Sequence, residues 1–112
     1  MRRVLTCLVA GLLLLTGACS SATASGPVTI DVTVANGKVS PSGATYDVAK
    51  GSTVTINVSS DANETVHVHG YEIEKDVTPG QKLVITFVAN MTGSFDIETH
   101  VIEATIATLN VR

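Results

Sequence analysis

Apolar and polar residues alternate along most of the chain from residue 28 onward. In residues 28–34 and again in residues 53–58, valine or isoleucine occupies every second position, with threonine, aspartate or asparagine between. Successive side chains of a β-strand point to opposite faces, so this period of two predicts strands with one buried face. Shorter runs of this kind recur at residues 46–48, 65–71, 83–88, 94–100 and 104–111. None of these runs has the 3.6-residue period of an amphipathic helix.

Turn signals separate the alternating runs. Asn36-Gly37 and Pro79-Gly80 are strong turn dipeptides, and further turns are predicted at Lys50-Gly51 and within residues 40–43 and 90–93. Signals that recur about every ten residues are typical of β-sandwiches and β-barrels. We therefore predict an all-β fold, a sandwich or barrel of seven to eight short strands.

The first 18 residues have the composition of a secretory signal peptide. Arg2 and Arg3 form a basic start, and the run Val4–Ala18 is apolar. A permanent membrane helix needs about 20 apolar residues, so this run is short for one. We therefore expect residues 1–18 to be removed from an exported protein.

The residue at the expected cleavage point is a cysteine. Leu15–Cys19, read as Leu-Thr-Gly-Ala-Cys, resembles a bacterial lipobox, with its leucine one place further from the cysteine than usual. The resemblance implies that Cys19 is lipidated, becomes the mature N-terminus and anchors the protein to the outer face of the bacterial cytoplasmic membrane or to another envelope membrane. Ordinary secretion is the alternative, because Ala22–Ala24 has the Ala-x-Ala form that general signal peptidase recognises.

Composition divides the remaining chain into a tether and a domain. Residues 19–27 are small and uncharged, as in a flexible linker, and residues 28–112 carry the strand pattern. The two cysteines, Cys7 and Cys19, precede that domain, so it has no disulfide and no thiolate ligand. Five basic and ten acidic residues follow residue 18, a net charge of −5. Nucleic acid and anionic membrane surfaces are therefore unfavourable partners, whereas a cation is a natural one.

The three histidines are the candidate functional residues of this acidic domain. His67 and His69 alternate with valines in one predicted strand, so both imidazoles share a face about 6.7 Å apart. The third histidine, His100, ends a second alternating run and shares its face with Glu98. Nitrogen and oxygen donors suit Cu(II) or Zn(II), and the affinity order favours copper. The alternative is that these are surface imidazoles on a polar strand.

Several segments, taken in order, resemble a cupredoxin-like domain. Val48–Ile56 resembles the lead-in strand of that family, and Thr65–Tyr71 resembles its first histidine strand. Thr78–Gln81 resembles its central Pro-Gly turn. Gly93–His100 resembles its main ligand strand, and Ala107–Val111 its terminal strand. The resemblance covers nearly all of residues 28–112 and implies a Greek-key β-sandwich or barrel.

The chain departs from that family at the metal site. Blue-copper cupredoxins use a cysteine thiolate, two histidines and a weak axial ligand. Here Thr99, between Glu98 and His100, stands near the expected cysteine, and no methionine follows it. Electron transfer through thiolate-bound copper is therefore excluded. The resemblance implies instead a copper-binding protein for storage, buffering or transfer, with His67, His69, His100 and Glu98 as candidate ligands and zinc as the less favoured ion.

Two other functions remain open. The domain could be a metal-free module that binds an envelope protein or a small ligand. It could also be a zinc or copper enzyme, for which three histidines and a water are the minimal open site. We rank the enzyme last, because the sequence shows no Ser/His/Asp arrangement, no cysteine nucleophile in the domain and no glycine-rich phosphate loop. We therefore expect a binding protein and not an enzyme.

Overall fold

The computed structural model describes residues 26–112, which form nine β-strands and no helix. The predicted signal peptide, Cys19 and most of the tether lie outside the described residues. Within the described part, no helix long and apolar enough to cross a membrane is found. The strands are β1 (Val28–Ala35), β2 (Lys38–Ser40), β3 (Ala44–Val48), β4 (Thr53–Ser60), β5 (Glu64–Val68), β6 (Ile73–Val77), β7 (Lys82–Val88), β8 (Gly93–Thr99) and β9 (Ala104–Val111).

The strands form two sheets packed face to face, which confirms the predicted all-β sandwich. One sheet has the order β2-β1-β4-β7, and the other has the order β3-β9-β8-β5-β6. The pairs β1/β4 and β3/β9 are parallel, and the remaining pairs are antiparallel. Because strands that are neighbours in space are often distant in sequence, the chain crosses repeatedly between the two sheets, as Greek-key folds do.

The alternating residues form the core between the sheets. In β4, Val54 and Ile56 are fully buried, whereas Thr53 is exposed. In β8, Ile97 is equally buried, although Asp96 beside it faces solvent. The core is almost entirely aliphatic and draws on both sheets. Burial of this apolar surface is the main favourable term for folding.

The nine strands exceed the predicted seven to eight because two short strands have no clear alternation. β2 has three residues, which is too few for a periodic pattern. In β6, three consecutive residues, Glu74 to Asp76, are exposed because this strand lies at the edge of its sheet. Charged residues on an edge strand also discourage pairing with another chain.

Candidate metal centre

His67 lies on the outer face of the five-stranded sheet. Its neighbours Val66 and Val68 are fully buried, so the imidazole of His67 points away from the core. Within the sheet, His67 stands opposite Glu98 of β8 and Glu74 of β6. The strand pattern that builds the core therefore also places this histidine among outward-facing polar residues.

The fold brings the three histidines together. His69 follows β5, and its backbone N–H donates to the Asp96 carbonyl at 2.9 Å. His100 follows β8, and its backbone N–H donates to the Thr65 carbonyl at 3.0 Å. The ring centroid of His67 is 4.1 Å from that of His69 and 5.1 Å from that of His100. One nitrogen from each of the three rings lies within 4.8 Å of the others, a spacing that could hold a metal ion.

His67 is the most enclosed of the three. Its side chain is 15% exposed, compared with 44% for His69 and 41% for His100. Its Nδ1 atom is buried and has no hydrogen-bond partner. Buried polar atoms are nearly always paired, and an unpaired one is destabilising. Ligation of a metal ion through Nδ1 would give this nitrogen a partner, so an unpaired His67 beside two other imidazoles fits a metal site.

Glu98 lies beside the histidine cluster. Its Oε2 atom is 2.7 Å from Nε2 of His69. The group of converging donors consists of the three histidines without Glu98. The structure thus brings Glu98 into contact with one predicted ligand, in the arrangement by which carboxylates orient metal-binding histidines. Direct ligation by Glu98 stays a prediction.

Two further carboxylates near the site were missed in the sequence. Glu72 Oε2 lies 3.8 Å from Nε2 of His67, and Glu74 Oε1 lies 3.8 Å from Nδ1 of His100. Both carboxylates are well exposed. Each histidine therefore has a carboxylate nearby, a charge distribution that favours a bound cation. Recognition of β6 as a strand paired with β5 would have revealed Glu74.

Tyr71 belongs to a separate aromatic cluster. Its hydroxyl donates to the Met91 carbonyl at 3.1 Å, and its ring packs against Phe87 and Phe95. The chain turns there at Gly70, which has a φ of +80° and lies directly against the Phe95 ring. The hydroxyl of Tyr71 therefore lies against the turn before β8.

Open space adjoins the site beside His100. A shallow depression of about 340 Å³ is lined by Glu98 and His100 together with Thr99, Glu103 and neighbouring residues. A somewhat larger one, about 420 Å³, lies on the other sheet and is lined by residues such as Asp31, Asn57 and Lys82. The second depression contains no histidine and no converging set of ligand atoms. The histidine cluster is therefore the better candidate for chemistry, although it is not at the largest depression.

Comparison with protein families gives one match over most of the sequence. A family model described as a cupredoxin-like domain matches residues 7–108. No curated protein sequence matches the chain at a significant level.

Solved structures share the fold at low sequence identity. A heme-copper terminal oxidase is 16% identical to this chain in sequence, with a TM-score of 0.57. The match covers 76% of this chain and 65% of the oxidase chain. Fet3p, a multicopper oxidase that functions in iron import, is 14% identical to this chain, with a TM-score of 0.60. The match covers 75% of this chain and 23% of the Fet3p chain. A copper binding protein solved by NMR in the apo form is 13% identical to this chain, with a TM-score of 0.59. The match covers 75% of this chain and 86% of that protein's chain. The chain thus spans less than two thirds of both oxidase chains, and these likenesses show the fold alone.

Proposed function

The chain belongs to the cupredoxin-like domain family, and on that premise we propose that it binds one copper ion through His67, His69 and His100. The bound copper is stored, buffered or passed on outside the cytoplasm. The observation that carries this proposal is the convergence of three imidazole nitrogens within 4.8 Å. The unpaired, buried Nδ1 atom of His67 supports it, because ligation through Nδ1 would give that atom a partner.

The donor atoms select the type of ion. Imidazole nitrogen with nearby carboxylate oxygen suits Cu(II) and Zn(II), and copper binds such donors more tightly than zinc. The domain contains no cysteine, so the intense absorption of a copper–thiolate bond is not expected. The likeness to the NMR structure of a copper binding protein agrees with this choice without deciding it.

The hydrogen bond between His69 and Glu98 determines how His69 would bind the ion. If Nε2 donates its proton to the Glu98 carboxylate, Nδ1 of the neutral ring keeps a free electron pair for metal. The carboxylate would also hold the ring in one orientation. Glu98 would then assist binding as a hydrogen-bond acceptor, whereas direct ligation remains its alternative role.

Exposure of the site favours transfer or buffering. His69 and His100 are each more than two fifths exposed, so a bound ion would be reached directly from solvent. An ion in such an open site can exchange with another protein or a small ligand. Three histidines and water could also form an open catalytic site with a nearby carboxylate as its base, and we keep this enzyme as the last-ranked alternative.

A copper titration of a soluble chain, starting at residue 20, tests the proposal. We expect saturation at about one equivalent of Cu(II), with a weak d–d band and no intense thiolate band. Acidification should release the ion, because protons compete with the metal for imidazole nitrogen. Zinc should compete only weakly.

Replacing His67 and His69 together by alanine should abolish binding, because one remaining imidazole chelates poorly. The matched control replaces Thr55 and Asn57, which occupy alternate positions on the other sheet. Absence of saturable Cu(II) or Zn(II) binding by the wild-type chain would contradict the proposal. A metal-free module that binds an envelope partner or a small ligand would then be the better account.

We also propose that the protein is anchored to a membrane through lipidated Cys19, with residues 20–27 as the tether. Replacing Cys19 by serine should move the protein from the membrane fraction to the soluble fraction. A mature protein beginning at unmodified Ser25 would show ordinary secretion instead.

A further inference from the structure

Glu64 is a buried carboxylate at the first position of β5. It is 3% exposed, although the core around it is aliphatic. A buried charge is strongly destabilising unless hydrogen bonds compensate for the lost water. Glu64 has such bonds, and their donors show what the residue does.

The carboxylate of Glu64 accepts three backbone N–H groups. Oε1 accepts from Thr65 at 2.9 Å and from Val101 at 2.6 Å, and Oε2 accepts from Ile102 at 3.2 Å. Two of these donors lie in residues 100–103, the turn between β8 and β9 that begins with His100. Hydrogen bonds to a charged acceptor are stronger than those between neutral groups. Glu64 therefore fastens this turn to the start of β5.

The same turn receives other polar contacts. The His100 N–H donates to the Thr65 carbonyl at 3.0 Å, so three consecutive amides of the turn bond to residues 64 and 65. From the other side, the buried Thr99 hydroxyl bonds to both the N–H and the carbonyl of Ala104. Of the three buried polar or charged side chains in residues 26–112, two, Glu64 and Thr99, therefore bond to the backbone at this turn.

The histidines differ in how their backbone is held. His67 lies inside β5, which is paired with β6 on one side and β8 on the other. His100 lies just beyond the end of β8, where no regular strand pairing continues. A ligand on a turn needs additional contacts to stay within a few tenths of an ångström of a productive position. Glu64 supplies those contacts to the residues directly after His100.

We propose that Glu64 is a positioning residue that holds the His100 imidazole within reach of His67 and His69. It does so through the turn and without contact to the metal. This proposal rests on the proposed function, since it concerns the third ligand of the same site. It assigns a role to a residue that the alternating pattern alone would place among ordinary core positions.

The test compares Glu64→Gln with Asp61→Asn. Both changes convert a carboxylate into an amide of nearly the same shape. Asp61 also accepts a backbone N–H, that of Asn36 at 2.9 Å, but in a different loop. Asp61→Asn therefore controls for loss of charge and of a backbone contact without affecting residues 100–103.

The first measurement uses NMR on the metal-free protein. In Glu64→Gln, amide exchange at Val101 and Ile102 should become at least about tenfold faster, because the charge-assisted bonds are lost. Cross-relaxation between the rings of His67 and His100, whose centroids lie 5.1 Å apart, should weaken. Exchange at Val66 should not change, and Asp61→Asn should alter neither signal. Unchanged exchange and unchanged ring contacts in Glu64→Gln would overturn the role of Glu64.

The second measurement is Cu(II) affinity in a double-mutant cycle. Glu64→Gln should weaken binding about tenfold, as changes that disturb ligand orientation do. In a His100→Ala background, Glu64→Gln should cause no further loss, since its effect passes through His100. Equal losses with and without His100 would show that Glu64 acts through general stability and would overturn the proposal. Absence of copper binding by the wild-type protein would instead overturn the proposed function, and the metal-free measurements would still decide the role of Glu64.

A third measurement needs no variant. In the wild-type protein, a scalar coupling through the hydrogen bond should link the Val101 amide nitrogen to the Glu64 carboxyl carbon. If Glu64→Gln does not fold, this coupling decides whether the carboxylate holds the turn, and its absence would overturn the proposal.

Discussion

The outer faces of the two sheets differ sharply, although their inner faces are alike. On the four-stranded sheet, Thr29, Thr55 and Thr86 stand side by side across three strands. On the five-stranded sheet, the corresponding positions across β6, β5 and β8 are Glu74, His67 and Glu98. The first row is neutral and carries hydroxyl groups, and the second row carries ionisable groups and potential ligands.

This difference shows that the inward residues that build the core and the outward residues that form the candidate site are independent of each other. Apart from Ser60, Glu64 and Thr99, the fully buried side chains of both sheets are aliphatic, so the core barely distinguishes the two sheets. Outward positions are free of packing demands, and only one sheet uses them for histidines. Substitutions of inward residues should therefore lower the free energy of unfolding to a similar extent in either sheet. Substitutions of outward residues should change copper affinity only on the five-stranded sheet.

The largest effect should come from the shared core. Ile56 of the four-stranded sheet and Ile97 of the five-stranded sheet are both fully buried. Replacing either by alanine should lower the free energy of unfolding by about 2–5 kcal/mol, through lost burial and a residual cavity. Urea denaturation measures both. A loss below about 0.5 kcal/mol for one of them, as for a surface change, would mean that the two inner faces are not equivalent.

A glycine beside the histidine strand should give the next largest effect. A Cβ atom added at Gly70 would overlap Cδ1 of Phe95, and φ at Gly70 is +80°. Gly70→Ala should therefore destabilise the fold by about 2–4 kcal/mol, from backbone strain together with overpacking.

Gly80, which precedes the four-stranded sheet's β7, is the matched control for Gly70. Its φ is +79°, but nothing lies within 4 Å of an added Cβ atom. Gly80→Ala should cost only the strain, about 1–2 kcal/mol. Thermal unfolding of both variants measures the difference, and equal costs would remove the steric role assigned to Phe95.

A smaller effect is expected from Glu98→Gln. Loss of the carboxylate that contacts His69 should weaken Cu(II) binding about tenfold, which corresponds to about 1.4 kcal/mol. Asp96→Asn is the control, since Asp96 lies on the same strand and bonds to Thr108 instead of a histidine. Calorimetric titration compares the two. Equal Cu(II) affinities of Glu98→Gln and Asp96→Asn would show that Glu98 is a solvated surface carboxylate with no role in copper binding.

The smallest effect should follow a change on the opposite outer face. Thr55→Val alters the central residue of the threonine row while keeping a β-branched side chain. We expect the free energy of unfolding to change by no more than about 0.5 kcal/mol, the usual range for surface substitutions. Copper affinity should also be unchanged. A measurable loss of copper binding in this variant would mean that the two outer faces are coupled.

The sequence by itself determined most of the strands, though not β2 and β6, and the direction of their side chains. Period-two alternation is a local property, so the buried positions of β4 and the outward direction of His67 could be predicted. It also predicted two separate histidine segments as candidates for one site. The structure brings His67, His69 and His100 together, which the sequence had left open.

Only the tertiary structure decided which residues surround the histidines. Glu74 stands opposite His67 because the chain reverses between β5 and β6, and the polar edge strand β6 has no alternation to reveal it. Glu64 contacts Val101 across 37 positions of sequence. Such contacts depend on strand order and register, which arise from the packing of the whole sandwich and not from any local pattern. The alternation of one strand therefore fixes its faces, whereas the pairing of distant strands decides what each face meets.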